Sequence, residues 1–205
     1  MTELMELARV GTATVHEAAR RAAVVDVPLI QVVPGSRAAG AARTVLCGQD
    51  DNLMVHAAVA EAVPGEVLVL TMPEPRPVAL VGELLATQAK VAGVAALLVD
   101  AAVRDIDELR EVGLPIWARY VRVTGADKQT PGVIGEPVEV AGATIRQGDV
   151  VVLDADGAVV VERERIDEVL RASVAREERE CVKRTKLEAG EHSYDLDGLR
   201  QLVEQ

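Results

Sequence analysis

The sequence predicts an α/β fold built on parallel strands, and three observations predict it. Residues 67–70 and the run VAALLVD, ending at Asp100, are short continuous apolar stretches with the length of strands buried on both faces. A helical pattern, GELLATQAKVAG, lies between them. A second, DIDELREVG, leads into a third strand-like run, LPIWARYVRV. Strand and helix alternating in this way favour parallel pairing through crossover helices.

The elements follow in order. The opening MTELMELARVGTATVHEAAR is acidic and amphipathic, unlike the basic and then apolar start of a secretory signal. Residues 12–23 read as a helix, with Thr14 as cap and Glu17 three positions on, a capping-box pattern. Residues 38–46 read as a strand and 52–62 as a helix. PGEVLVL is a turn running into the first buried strand. MPEPRP, with three prolines in six residues, is a loop, because proline removes amide donors and fixes φ. Gly82 permits a tight turn, Glu83 suits a first helical turn, and Gly93 and Gly113 stand where helices close. Residues 130–161 change character, with frequent glycine and short alternating β runs, and read as a β-rich half packed on the α/β half. A charged helix follows over 162–186, then a short tail, GEHSYDLDGLRQLVEQ, that reads as an arm. The domain division expected is 1–161 for the α/β body and 162–205 for a helix and arm on a neighbouring subunit.

Composition narrows the function. Of 205 residues, 49% are hydrophobic, yet there is no Phe and one Trp, so the core is aliphatic. A formal charge of −11 argues against binding phosphate backbones, so no nucleic-acid partner is expected. No apolar run reaches the roughly eighteen residues of a membrane span. The two cysteines, Cys47 and Cys181, show neither pairing nor metal spacing, and the expected location is cytoplasmic.

Few residues carry candidate chemistry. Arg104 and Asp105 fall at the carboxyl end of an expected parallel strand, where open α/β sheets place ligands. Asp105 alone reads as a helix cap, but a cation beside a helix N-terminus opposes the dipole unless an anion binds there. Gly82, Glu83, Leu84 and Leu85 open a helix whose first amides suit a small carboxylate, and no nucleotide-phosphate loop GxxxxGK[ST] occurs. His16 lies in VHEAAR, where Arg20 replaces the second histidine of a zinc motif. His56, among Ala and Val, reads as a packed histidine. The run AREERECVKR holds Glu177 and Glu180, which can reach a neighbouring subunit.

Together these stretches resemble the class II pyruvate aldolases acting on 4-hydroxy-4-methyl-2-oxoglutarate and 4-carboxy-4-hydroxy-2-oxoadipate, which are related to the RraA-like regulators of ribonuclease E. The resemblance rests on GTATVHEAAR, DDNLMVHAAVAEAVPGEVLVL, GELLATQAKVAGVAALLVDAAVRD, GLPIWAR, GDVVVLDADGAVVV, RECVKRTKLEAGE and YDLDGLR. It implies a layered αββα sandwich of the swivelling β/β/α type with a C-terminal helical arm. It further implies that Asp105 binds Mg²⁺ or Mn²⁺, and that Arg104 binds the 2-oxo acid and steadies the enolate. Glu83 would hold metal-bound water, the amides of Leu84 and Leu85 the substrate carboxylate, and Glu180 of an adjacent subunit would complete the site. The expected activity is retro-aldol cleavage of a 4-hydroxy-2-oxo di- or tricarboxylic acid, with oxaloacetate decarboxylation at its side, in a homotrimer or homohexamer. The alternative is a regulatory binding protein without catalysis. Ala101, Gly135 and the PRPVALVGE approach depart from the family pattern.

Overall fold

The computed structural model describes residues 2–20 and 23–204. In chain order the elements are α1 (Glu3–Val10), α2 (Thr12–Ala18), β1 (Ile30–Gln31), β2 (Ala38–Leu46), α3 (Leu53–Ala60), β3 (Val67–Thr71), β4 (Ala79–Val81), α4 (Glu83–Val91) and β5 (Ala96–Val103). They continue with α5 (Ile106–Val112), β6 (Ile116–Val121), β7 (Val133–Ile134), β8 (Val138–Val140), β9 (Ala143–Ile145), β10 (Val150–Asp154) and β11 (Gly157–Val161). The long α6 (Ile166–Glu188) and two short turns, α7 (Ser193–Leu196) and α8 (Arg200–Val203), end the chain.

The predicted alternation is present: β2, β3, β5 and β6 pair in parallel, with α4 and α5 as crossovers. The whole sheet runs β1-β6-β5-β3-β2-β10-β11, with β4 on β5 and β7 on β2. Strand β2 joins two regimes, because Ala38–Ala41 pair antiparallel with β10 while Ala42–Leu46 pair parallel with β3. The β-rich half expected over 130–161 is therefore no separate body. Its β10 and β11 extend the same sheet, and β8 and β9 form a hairpin beside it.

Alternation along the strands sorts the apolar side chains into layers. Leu68, Leu70, Leu97 and Val99 face helices α3 to α5. Val67, Val69, Leu98 and Trp117 face the opposite way, onto Val151, Leu153 and Val160 and the β8–β9 hairpin. Val150, Val152, Val159 and Val161 face outward, onto Leu7, Val15 and Val169 of α1, α2 and α6. The sheet has curled over itself, giving helices, strands, strands and helices in succession. This is the αββα sandwich that the resemblance implied.

Four local expectations are corrected. Thr14 is not a cap: α2 starts at Thr12, where the buried Asp154 carboxylate accepts from the Thr12 amide (2.9 Å) and hydroxyl (2.6 Å). Of the helix expected over 12–23, residues 21 and 22 lie outside the described residues, and the helix itself ends at Ala18. The apolar strand does not stop at Asp100 but runs to Val103, since β4 pairs with Ala102 and Val103 beyond the end of β3. The helix expected on a neighbouring subunit packs its first turns within its own chain, through Val169 and Leu170. The far half of α6 is exposed, with Val182 61% accessible.

Candidate active site

Strands β4 and β5 end side by side, and each delivers its chain into a helix. After β4 comes Gly82 and the start of α4; after β5 come Arg104 and Asp105 and the start of α5. The Arg104 amide donates to Val81 O at 3.1 Å, tying the two strand ends together. Asp105 occupies the N-cap position of α5, yet its side chain does not cap that helix. Its backbone is left-handed, φ 62° and ψ 49°, a region uncommon for residues other than glycine and found at functional sites. The twist turns the carboxylate away from α5 and onto α4, where Oδ2 accepts from the Glu83 amide at 3.1 Å. Arg104 Nε stands 3.7 Å from the same oxygen.

Gly82 is required by space rather than by its φ of −128°. A Cβ there would fall 2.5 Å from Asp105 Oδ2 and 3.2 Å from Arg104 Nε. A second glycine, Gly125, flanks the guanidinium from the other side: its Cβ would lie 2.7 Å from Arg104 Nη1. The doublet is thus clasped between two residues without side chains, leaving its polar atoms open to a ligand.

The first turn of α4 faces the same place. Gly82 supplies no side-chain cap, and the Leu84 and Leu85 amides belong to the turn that has no intrahelical acceptor. The Glu83 carboxylate accepts from Thr87 Oγ1 at 2.9 Å and flanks the opening. These residues line a cleft of about 230 Å³ together with Asn52, His56, Gly125 and Lys128.

Among the described residues no cluster of three or more His, Cys, Asp or Glu surrounds a metal position. The donor chemistry fits Mg²⁺ or Mn²⁺ nonetheless, because Mg²⁺ keeps several waters and needs only one or two carboxylates. Asp105 is half-exposed, and its Oδ1 makes no hydrogen bond among the described residues, leaving that oxygen available as a ligand. Glu83 lies on the same rim, where its carboxylate would be within the outer sphere of such an ion.

Residues 12–160 match the family model described as RraA-like, Aldolase/RraA. The chain belongs to the RraA-like family. Over 132 residues it is 36% identical to the "Putative 4-hydroxy-4-methyl-2-oxoglutarate aldolase" of Halalkalibacterium halodurans, a match covering 64% of this chain and 63% of that protein. The aligned part is therefore less than two thirds of that relative. An uncharacterized protein from Pseudomonas syringae pv. tomato str. DC3000 shares the fold with a TM-score of 0.82 at 24% identity, over 93% of this chain and 94% of that one. Streptomyces coelicolor RraAS2, an unusual member of the RNase ES inhibitor RraA protein family, superposes with a TM-score of 0.79 at 29% identity, over 89% and 95% of the two chains.

In this RraA-like chain Gly82, Glu83, Leu84, Leu85, Arg104 and Asp105 all meet at one cleft, as their sequence positions suggested. Glu180 does not join them within the chain. It pairs with Arg176 at 2.8 Å on exposed α6, and Glu177 is held by Arg9, with Nη1 at 2.6 Å. Asn52, His56, Gly125 and Lys128 also line the cleft and escaped the sequence as site residues. His56 lies one turn from Asn52 on the cleft side of α3, where the NxxxH spacing was the available signal. The loop carrying Gly125 and Lys128 has no periodic pattern, and only its tertiary anchoring brings it here.

Proposed function

We propose that this chain is a divalent-metal-dependent aldolase, a carbon–carbon lyase. Its substrate would be a 4-hydroxy-2-oxo di- or tricarboxylic acid, cleaved to pyruvate and a second 2-oxo acid, with oxaloacetate decarboxylation as a side activity. The observation that carries the reading is the left-handed Asp105, whose carboxylate is turned onto the open N-terminus of α4 with Arg104 beside it. A structural cap needs neither the strained backbone nor the neighbouring cation.

The Leu84 and Leu85 amides take the C1 carboxylate, using the positive end of the α4 dipole. Arg104 donates from its planar guanidinium to the C2 oxygen, where negative charge grows as the C3–C4 bond breaks. Asp105 and, through water, Glu83 would hold Mg²⁺ or Mn²⁺, which supplies Lewis-acid polarisation of the 2-oxo group. As the C3–C4 bond breaks, its electron pair forms the C2–C3 double bond of the enolate. The C4 hydroxyl gives its proton to cleft water and becomes the second carbonyl, and C3 then takes a proton from water to give pyruvate. Loss of CO₂ from oxaloacetate leaves the same pyruvate enolate, so the same groups serve both reactions. No Schiff-base lysine is needed. Glu180 of an adjacent subunit would complete the metal's water shell in a trimer or hexamer; within one chain Glu180 is not among the residues lining the cleft, which leaves that place to a neighbour.

The family also contains binding proteins, and a non-catalytic regulator is the competing reading. A pyruvate-release assay with a panel of 4-hydroxy-2-oxo acids and oxaloacetate, with Mg²⁺ or Mn²⁺, separates the two. Metal-dependent release from at least one hydroxy-oxo acid is expected; none from any of them refutes the aldolase.

A further inference from the structure

Strand β5 gains one residue on its neighbour just before it delivers the doublet. Leu97, Leu98 and Val99 pair in step with Ile116, Trp117 and Ala118, and Ala102 and Val103 then pair with Tyr120 and Val121. Two residues of β5, Asp100 and Ala101, therefore stand opposite one residue of β6, Arg119. This is the two-against-one count of a β-bulge, which bends a strand and re-aims side chains beside functional sites. Beyond it the Arg122 amide donates to Val103 O at 3.0 Å, and the Arg104 amide to Val81 O at 3.1 Å. The bulge decides the level at which β5 leaves the sheet, and with it the places of Arg104 and Asp105.

The two sides of the bulge are joined by their own side chains. Arg119 Nη1 donates to Asp100 Oδ1 at 2.9 Å, and the guanidinium carbon stands 5.5 Å over the ring of Tyr120, the next residue of β6. Asp100 is 1% exposed, and its Oδ2 is buried with no hydrogen-bond partner among the described residues. Stability does not account for such a pair. Desolvating a carboxylate is expensive, one oxygen goes uncompensated, and a well-packed aliphatic pair would be as stable or more so. What an aliphatic pair lacks is direction. A carboxylate joined to a guanidinium across the sheet holds two residues against one, and selects one register among those that the surrounding Val, Leu and Ala would accept.

We propose that Asp100 is a positioning residue for the cleft: its bond to Arg119 locks the bulge in β5 and so sets where Arg104 and Asp105 stand against α4. The lock acts through the backbone, four residues before Arg104. A slip of one residue moves a strand by about 3.3 Å. Asp105 has no such latitude, because its Oδ2 is 3.1 Å from the Glu83 amide and would be 2.5 Å from a Cβ at Gly82. In the aldolase reading that displacement takes the carboxylate from the metal and Arg104 from the enolate. The inference rests on that reading for what the doublet does, and on the sheet alone for where it stands.

The test uses Asp100→Asn, which keeps the shape and removes the charge, and the double variant Asp100→Leu/Arg119→Met, which replaces the pair by aliphatic side chains. The Arg119 side chain is 27% exposed and reaches water once Asp100 is neutral, so Asp100→Asn strands no charge and is expected to fold. Three quantities are read: Tm, amide hydrogen exchange by mass spectrometry, and Mn²⁺ affinity by electron paramagnetic resonance. Both variants should exchange about tenfold faster than wild type over residues 99–106, with residues 67–71 unchanged. Both should bind Mn²⁺ about tenfold more weakly, the scale of losing a group that orients a ligand. The double variant should recover the wild-type Tm without recovering that affinity, which a purely structural pair would not allow. Unchanged exchange over 99–106 in Asp100→Asn, or a double variant with wild-type Mn²⁺ affinity, overturns the lock. If the double variant does not fold, Asp100→Asn decides alone. A wild type that binds no Mn²⁺ overturns the metal-dependent reading, and hydrogen exchange still decides the lock.

Discussion

Replacing Gly82 by alanine adds one methyl group at the tightest point of the site. Its Cβ would fall 2.5 Å from Asp105 Oδ2, and ordinary contact begins at 3.4 Å, so the carboxylate has to withdraw by about 0.9 Å. The backbone does not resist the change, because φ −128° and ψ −172° suit any residue. Stability should fall by about 1 kcal/mol, from a poorer N-cap and slight overpacking at a half-open site. In a chain of this size that lowers Tm by roughly 2–4 °C. Turnover should fall much further, on the order of a hundredfold, because displacing a reacting group by about 1 Å costs that much. Pyruvate release and thermal melting on the same preparation separate the two effects. Activity within about threefold of wild type would show that the Gly82–Asp105 approach is packing without catalytic meaning.

Arg104→Lys keeps the charge but loses the planar fork, and kcat should drop on the order of a hundredfold in the same release assay; near-normal turnover would return Arg104 to a surface ion pair. Protonation of His56 is disfavoured in the folded protein, whose imidazole titrates below its ordinary 6.5, so the unfolded chain binds more protons in that window. Stability should therefore decline as pH falls below about 6.5 toward the folded-state value, and urea unfolding of His56→Leu should show a flatter acid limb; identical pH profiles would contradict this. Mixing inactive Glu180→Ala with inactive Asp105→Asn under subunit exchange should restore part of the activity, since some boundaries then carry neither lesion. No recovery despite exchange seen by native mass spectrometry would remove Glu180 from the site.

The sequence made the middle of this protein legible because local rules act there. Continuous apolar runs mark β3, β5 and β6, Gly113 closes α5 in the left-handed region at φ 69°, and the Arg104–Asp105 doublet falls at a strand end. What failed depended on distant partners. Asp154 caps α2 from 142 residues away, so the nearby Thr14 and Glu17 offered a false capping box. Three-residue β4, wedged between a proline loop and Gly82, is a strand only because β5 extends to meet it. The part of the cleft lined by Asn52, His56 and Lys128 was hidden for the same reason. His56 has an ordinary apolar helical setting, and Lys128 reaches it only through the Asp51 anchor across 78 residues.

In the proposed reaction Arg104, Asp105 and the opening turn of α4 stabilise the enolate of pyruvate together with a divalent metal. Exchange of pyruvate methyl protons for deuterium, followed by proton NMR in D₂O, reads that enolate without needing the physiological substrate. Exchange should require wild-type protein with Mg²⁺ or Mn²⁺, stop on chelation, return on readdition, and be lost in folded Asp105→Asn. Exchange at the buffer rate with metal present, or undiminished exchange in that variant, would contradict the account.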